Sequence, residues 1–238
     1  REDDYAICAS SPFPRENLKL LVARDVSSKY TRRDAGEYEK MAEYILQMLL
    51  GKKGNYLVFF PSYRMMEDIC DVLEEKLEKS NSRVQCLYQT PSMSEQEREE
   101  FLEQFQEEGE KTLAGFCVMG GIFSEGIDLA GKKLIGAAIV GTGLPQVGSE
   151  REILKEYYDR KGNMGFAYAY RYPGMNKVLQ SAGRVIRTQE DTGIILLLDE
   201  RFAGKDYRNL FPAEWSDRGN CTLNTCLLYT SDAADDLT

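Results

Sequence analysis

The sequence predicts an α/β protein in which a parallel sheet carries helices on both faces. Three observations lead there. From about Tyr56 to Asp199, short apolar runs alternate with amphipathic helical stretches. Some runs are apolar without a break, as expected of strands buried on both faces. The 238 residues, 42% of them hydrophobic, are enough to bury a real core.

The elements follow in order. The first 50 residues offer one helix, "GEYEKMAEYILQMLL" (Gly36–Leu50), preceded by an irregular "SSPFP". "YLVFF" (Tyr56–Phe60) is a strand ended by Pro61, and Met66, Ile69, Leu73 and Leu77 then recur at helical spacing. "VQCLY" (Val84–Tyr88) reads as a second strand. "SEQEREEFLEQF" opens with a capping box, Ser94 and Glu97, ahead of an apolar stripe of Phe101, Leu102 and Phe105. "GFCVM" (Gly115–Met119) and "LIGAAIV" (Leu134–Val140) are further strands. A helix follows at about Ser149–Arg160, then a second helix running through "QSAGRVIRT", then the strand "GIILLLD" (Gly193–Asp199). Residues 1–215 are read as one domain. Ser216–Thr238 has no usable periodicity and ends like a translated adapter read-through, so it is expected to be a disordered, artefactual tail.

Composition narrows the chemistry. The net charge is −9, so any nucleic-acid contact must come from a localised track or from a partner domain. The chain has no histidine, which removes His-based triads, His metal sites and a DEAH-type box. Four cysteines, Cys8, Cys70, Cys86 and Cys117, stand singly among apolar neighbours, as thiols do in a reducing cytoplasm. Neither a signal segment nor a membrane span is evident, so a cytoplasmic location is expected. The first residue is Arg1 rather than Met, and a longer parent chain is expected.

Ligands of parallel sheets gather at the carboxyl ends of the strands. "FFPSYR" supplies Ser62, Tyr63 and Arg64 at one such end. "GGIFSEGID" supplies Gly120, Gly121, Ser124, Glu125, Gly126 and Asp128 at another. Taken alone, each also reads as an ordinary strand-to-helix turn. In "QSAGRVIRT", a helix would place Gln180, Arg184 and Arg187 within about 60° of one another. Leu179, Ala182 and Ile186 would then face the sheet, and Gly183 would leave room beside the polar stripe. Two guanidinium groups on one stripe call for an anion opposite, unless the stripe is simply a solvated basic face. Asp199 and Glu200 imitate an acidic magnesium-binding strand end, but they follow the arginine segment and are read as a decoy. No GxxxxGK[ST] occurs anywhere in the chain.

"GGIFSEGIDL", "QSAGRVIRT" and "GIILLLDERF", in that order, resemble the XPD/DinG family of superfamily 2 helicases. The likeness covers about 200 residues and falls on the family's second RecA-like domain. "YLVFFPSY" resembles motif IV, "GGIFSEGID" motif V and "QSAGRVIR" motif VI, and "SSPFP" resembles the entry into the domain. The resemblance implies a RecA-like sheet and an ATP-dependent 5′–3′ DNA helicase. It implies that Arg184 and Arg187 contact the triphosphate, one of them as an arginine finger, with Gln180 near the γ-phosphate. Asp128, Gly126, Glu125 and Gly183 would serve the nucleotide side. Ser62, Tyr63, Arg64, Gly120, Gly121 and Ser124 would meet single-stranded DNA. ATP and Mg²⁺ would be shared with a first RecA-like domain upstream of Arg1, where an iron–sulfur cluster would also lie. No cysteine here is assignable to that cluster. Two other readings stay open: an ATPase-inactive nucleic-acid clamp, and a small-molecule enzyme on a Rossmann-like sheet, which lacks GxGxxG after its first strand.

Overall fold

The computed structural model describes residues 13–106, 109–123, 134–215 and 221–224. Seven strands form one sheet in the order β3-β4-β2-β5-β6-β1-β7, and every pairing is parallel. They are β1 (Leu18–Ala23), β2 (Asn55–Phe60), β3 (Val84–Tyr88), β4 (Thr112–Val118), β5 (Gly136–Val140), β6 (Gly193–Leu198) and β7 (Cys221–Asn224). The α/β reading holds, and the predicted strands fall within a few residues of those observed.

Two strands depart from the sequence reading. β1, "LKLLVA", was missed because Lys19 interrupts a short apolar run that follows a polar segment. It pairs in register with β6 from Leu18–Gly193 to Ala23–Leu198. Inside the segment expected to be a disordered tail, residues 221–224 pair with β1 as β7.

Period-two alternation sorts the side chains of each central strand onto two faces. From β2, Tyr56, Val58 and Phe60 point to one face, where they meet α1 (Ala35–Gly51) and α2 (Tyr63–Lys79). Leu57 and Phe59 point to the other, where they join Phe101 of α3 (Glu95–Glu103) and Val178 of α5 (Tyr172–Ala182). Phe59, Phe60 and Phe116 are fully buried, each contributing about 1.5–3 kcal/mol of apolar transfer.

Local signals fix the helix starts. Asp34 accepts from Glu37 N at the head of α1, and Ser62 from Met65 N at the head of α2. At α3 the predicted capping box of Ser94 and Glu97 is present in both directions. α4 spans Ser149–Gly162 and ends on Asn163 in the left-handed conformation. One π-helical turn, Ala167–Arg171, then leads into α5, with Pro173 in that helix's first turn. A four-residue α6 (Lys205–Arg208) follows β6.

Candidate nucleotide and nucleic-acid interface

Neighbouring strands β2 and β5 are followed by connections on opposite faces of the sheet, α2 on one and, after α4 and the π-helical turn, α5 on the other. Adjacent connections that diverge in this way open a crevice at the carboxyl ends of the strands. The segments after β2 and β4 and the arginine segment after α5 were the sequence candidates.

The β2 and β4 turns are tied together by a residue that the sequence reading missed, Gln89 at the end of β3. Gln89 is 3% exposed. Its Oε1 accepts from Val118 N at 2.9 Å, and its Nε2 donates to the Tyr63 hydroxyl at 2.9 Å. Tyr63 in turn donates to Thr90 O. Burial pushes the Tyr63 phenol up, so it remains a neutral donor. A Cβ on Gly121 would sit 2.9 Å from Gln89 Nε2, so this glycine permits a close approach. The signal for Gln89 was a polar residue just after a mostly apolar strand.

Ser62 spends its hydroxyl acceptor on the α2 cap, and Arg64 is exposed beside it. Gly120 has φ +72°, a left-handed conformation that suits glycine. Ser62, Tyr63, Arg64, Gly120 and Gly121 therefore occupy the carboxyl ends of two adjacent strands. Ser124, Glu125, Gly126 and Asp128 lie outside the described residues.

The arginine segment differs from the expected helix. α5 stops at Ala182, and Gly183 is its C-cap, with φ −64° and ψ 2°. Gly183 N donates to Leu179 O at 2.8 Å, and the next two amides make longer i→i−3 bonds. Gly183 therefore stands at the helix end rather than at a helix centre. Gln180 stands on the last helical turn, exposed, while Arg184 and Arg187 lie beyond it on a loop. The predicted 60° helical stripe does not form. The burial expectation for the opposite side holds: Ala182 is in the core, with Leu179 and Ile186 packed against it.

Asp191, also missed, organises that loop. It is 5% exposed, and its Oδ2 accepts from the amides of Arg187 and Thr188, both at 2.7 Å. Asn17 Nδ2 donates to Gln189 O at 2.8 Å, fastening the loop to the start of β1. Gly183 borders a mainly apolar hollow with Leu18, Leu179, Ile186 and Trp215, whose charged lining residues are Arg15 and Glu214. A larger polar hollow lined by Asn55, Gln85, Gln104 and Lys111 lies at the amino ends of the strands, away from these residues.

Asp199 is fully buried and accepts from Ser28 N, Ser28 Oγ and Arg201. Burial alone would raise its pKa. The Arg201 hydrogen bonds and charge, with backbone amides, outweigh that and hold the carboxyl below its usual range. Glu200 is engaged by Lys29, Ser27 and Arg32. Both carboxylates are committed to internal partners, which fits a decoy rather than a magnesium site. Among the described residues no cluster of His, Cys, Asp and Glu could hold a metal ion. Burial raises the Cys70 and Cys117 thiols, a poor state for metal-binding thiolates. The Tyr158 and Tyr168 rings stack at 4.0 Å, joining α4 to the π-helical turn. No helix of the described residues is long and apolar enough to cross a membrane.

An all-parallel sheet with a glycine turn after β4 and an arginine loop between α5 and β6 is a RecA-like α/β arrangement. Residues 45–218 match the family of helicase C-terminal domains. The chain belongs to that family, as a second RecA-like domain of the XPD/DinG type. It is 30% identical over 192 residues to the ATP-dependent DNA helicase XPD of Sulfolobus acidocaldarius, covering 78% of this chain and 32% of the relative. A probable ATP-dependent helicase of Methanocaldococcus jannaschii is 29% identical over 204 residues, with 81% and 30% covered. Among solved structures, an XPD helicase aligns with TM-score 0.67 at 22% identity, over 87% of this chain and 35% of that one. The Xpd4 structure of S. tokodaii aligns with TM-score 0.61 at 18% identity, over 93% and 41%. These structural likenesses speak for the fold. The chain spans about a third of the length of these curated relatives.

Proposed function

We propose that this chain is the second motor domain of an ATP-dependent DNA helicase that moves 5′ to 3′ on single-stranded DNA. The observation that carries the reading is the arginine loop. Arg184 and Arg187 leave the end of α5 on a segment fixed by Asp191, as groups that must meet a triphosphate from across a domain cleft would be. ATP and Mg²⁺ would be bound chiefly by a first RecA-like domain, whose phosphate loop this chain lacks. One of the two arginines would then offset the charge that develops on the transferred phosphoryl group, a role worth about 10³–10⁵ in rate. Gln180, at the end of the helix, would face the γ-phosphate, and Gly183 would set where the loop leaves the helix. Asp128, Gly126 and Glu125 would serve the same nucleotide. Ser62, Tyr63, Arg64, Gly120, Gly121 and Ser124 would hold the DNA backbone, through amide, hydroxyl and guanidinium donors. An iron–sulfur cluster would belong to the first motor domain.

A nucleic-acid clamp without ATPase activity is the competing reading. The test is Arg187→Glu in the chain joined to a first motor domain, assayed for ATP hydrolysis and oligonucleotide binding. A motor loses hydrolysis and keeps binding. Loss of binding with no hydrolysis in the parent protein would favour the clamp. The 238-residue chain alone is expected to turn over ATP negligibly, and robust turnover by it would overturn the shared-site reading.

A further inference from the structure

We infer that Lys177 is a phosphate-binding residue, placed to meet one phosphodiester of a nucleic-acid strand crossing the carboxyl ends of β4, β2 and β5. The inference rests on the nucleic-acid part of the reading above and adds a residue to it. Lys177 lies in the middle of α5, but its side chain does not follow Met175, Val178 and Ala182 into the core. A Cβ built on Gly143, in the turn after β5, would lie 3.5 Å from Lys177 Cβ. A Cβ built on Gly120, in the turn after β4, would lie 3.1 Å from Lys177 Cε and 3.4 Å from Nζ. In the sheet order β4-β2-β5, the lysine therefore reaches from one glycine turn to the other across the end of β2.

The surroundings favour an outside anion. Lys29, Lys76, Lys79 and Lys155 each pair with a carboxylate, whereas among the described residues Lys177 has no such partner. Gly120, with φ +72°, lies beside the ammonium and carries no side chain that would bar a ligand there, while Gly143, with φ +63°, adjoins the base of the lysine side chain. Arg64 is exposed after β2, at the same ends of the strands. On a chain of net charge −9, Arg64 and Lys177 at one end of the sheet supply the localised positive charge that phosphate binding needs. A lysine suits a single phosphate oxygen as a point charge and carries no base preference.

The test is fluorescence anisotropy of a labelled oligo-dT with this chain, as a function of salt. It compares wild type, Lys177→Ala, Lys177→Arg and, as a control on α4, Lys161→Ala. Lys177→Ala is expected to weaken binding roughly three- to tenfold and to lower the salt slope by about 0.7, the value for one single-strand phosphate. Lys177→Arg should keep most of the affinity, and Lys161→Ala should match wild type. A folded Lys177→Ala variant, with wild-type melting behaviour, that keeps both affinity and slope would overturn the assignment alone. Absence of any salt-dependent binding by wild type would overturn it together with the nucleic-acid reading of the domain.

Discussion

Asp191 holds Arg187 by the backbone, its Oδ2 accepting from Arg187 N at 2.7 Å while it also accepts from Thr188 N. A buried carboxylate that receives two amides fixes the loop at Arg187 and Thr188, and so where the Arg187 side chain starts.

The first prediction concerns that anchor. Asp191→Ala leaves two part-buried amides without their acceptor, at a cost of about 1–3 kcal/mol for each one that stays unpaired. Amide hydrogen exchange should speed up at Arg187 and Thr188 more than in β6. Unchanged protection at both amides would show that the loop is held by other contacts.

The second concerns Gln89. Gln89→Ala removes the acceptor of Val118 N and the donor to Tyr63 together, and should lower urea stability by about 1–3 kcal/mol. Tyr63→Phe deletes only the outer hydroxyl and should cost less, about 0.5–1.5 kcal/mol. Equal midpoints for the two variants would contradict the central place of the amide.

The third concerns Asp199 and Arg201. Arg201→Met leaves a buried carboxylate without its cation and should destabilise by about 3–5 kcal/mol. Asp199 has a native pKa below its unfolded value, so its stabilisation is complete above the unfolded value of about 3.9 and fades as pH falls towards the native one. Urea midpoints measured from pH 6 down to pH 3 should therefore fall, and Asp199→Asn should flatten the lower part of that curve. A curve as steep in Asp199→Asn as in wild type would assign the acid sensitivity elsewhere.

The fourth compares two glycines. Gly120→Ala and Gly143→Ala each force alanine into positive φ, costing about 1–2 kcal/mol. At Gly120 the new methyl meets the flexible end of Lys177, which can move. At Gly143 it meets Gly174 O at 2.7 Å, a backbone atom. Thermal melts should place Gly143→Ala clearly below Gly120→Ala.

The central strands were legible because burial on both faces writes a continuous apolar run, as in β2 and β6. β1 was not, since a single lysine in a six-residue strand is enough to break the pattern. α3 was readable to its capping box, because that signal is local. Gly183 was misread for a reason that is also local. A helix periodicity can run past the true end by one turn, as it does here from Ala182 to Ile186. Gln89 showed in the sequence only as a polar residue after a mostly apolar strand, and Asp191 not at all: each acts on backbone amides of a different segment or across a loop, and spacing along the chain does not report such a bond. The burial of Ala182 was anticipated correctly, since it depends on α5 alone.

Because a single side-chain amide grips both the stub of the β4 turn and the ring that follows β2, those two turns share one mechanical reference. Inserted residues should be tolerated only on the far side of Gly121 or beyond Tyr63, where added length does not pass through the grip. A push delivered to either turn is transmitted to the other as a displacement of the same block.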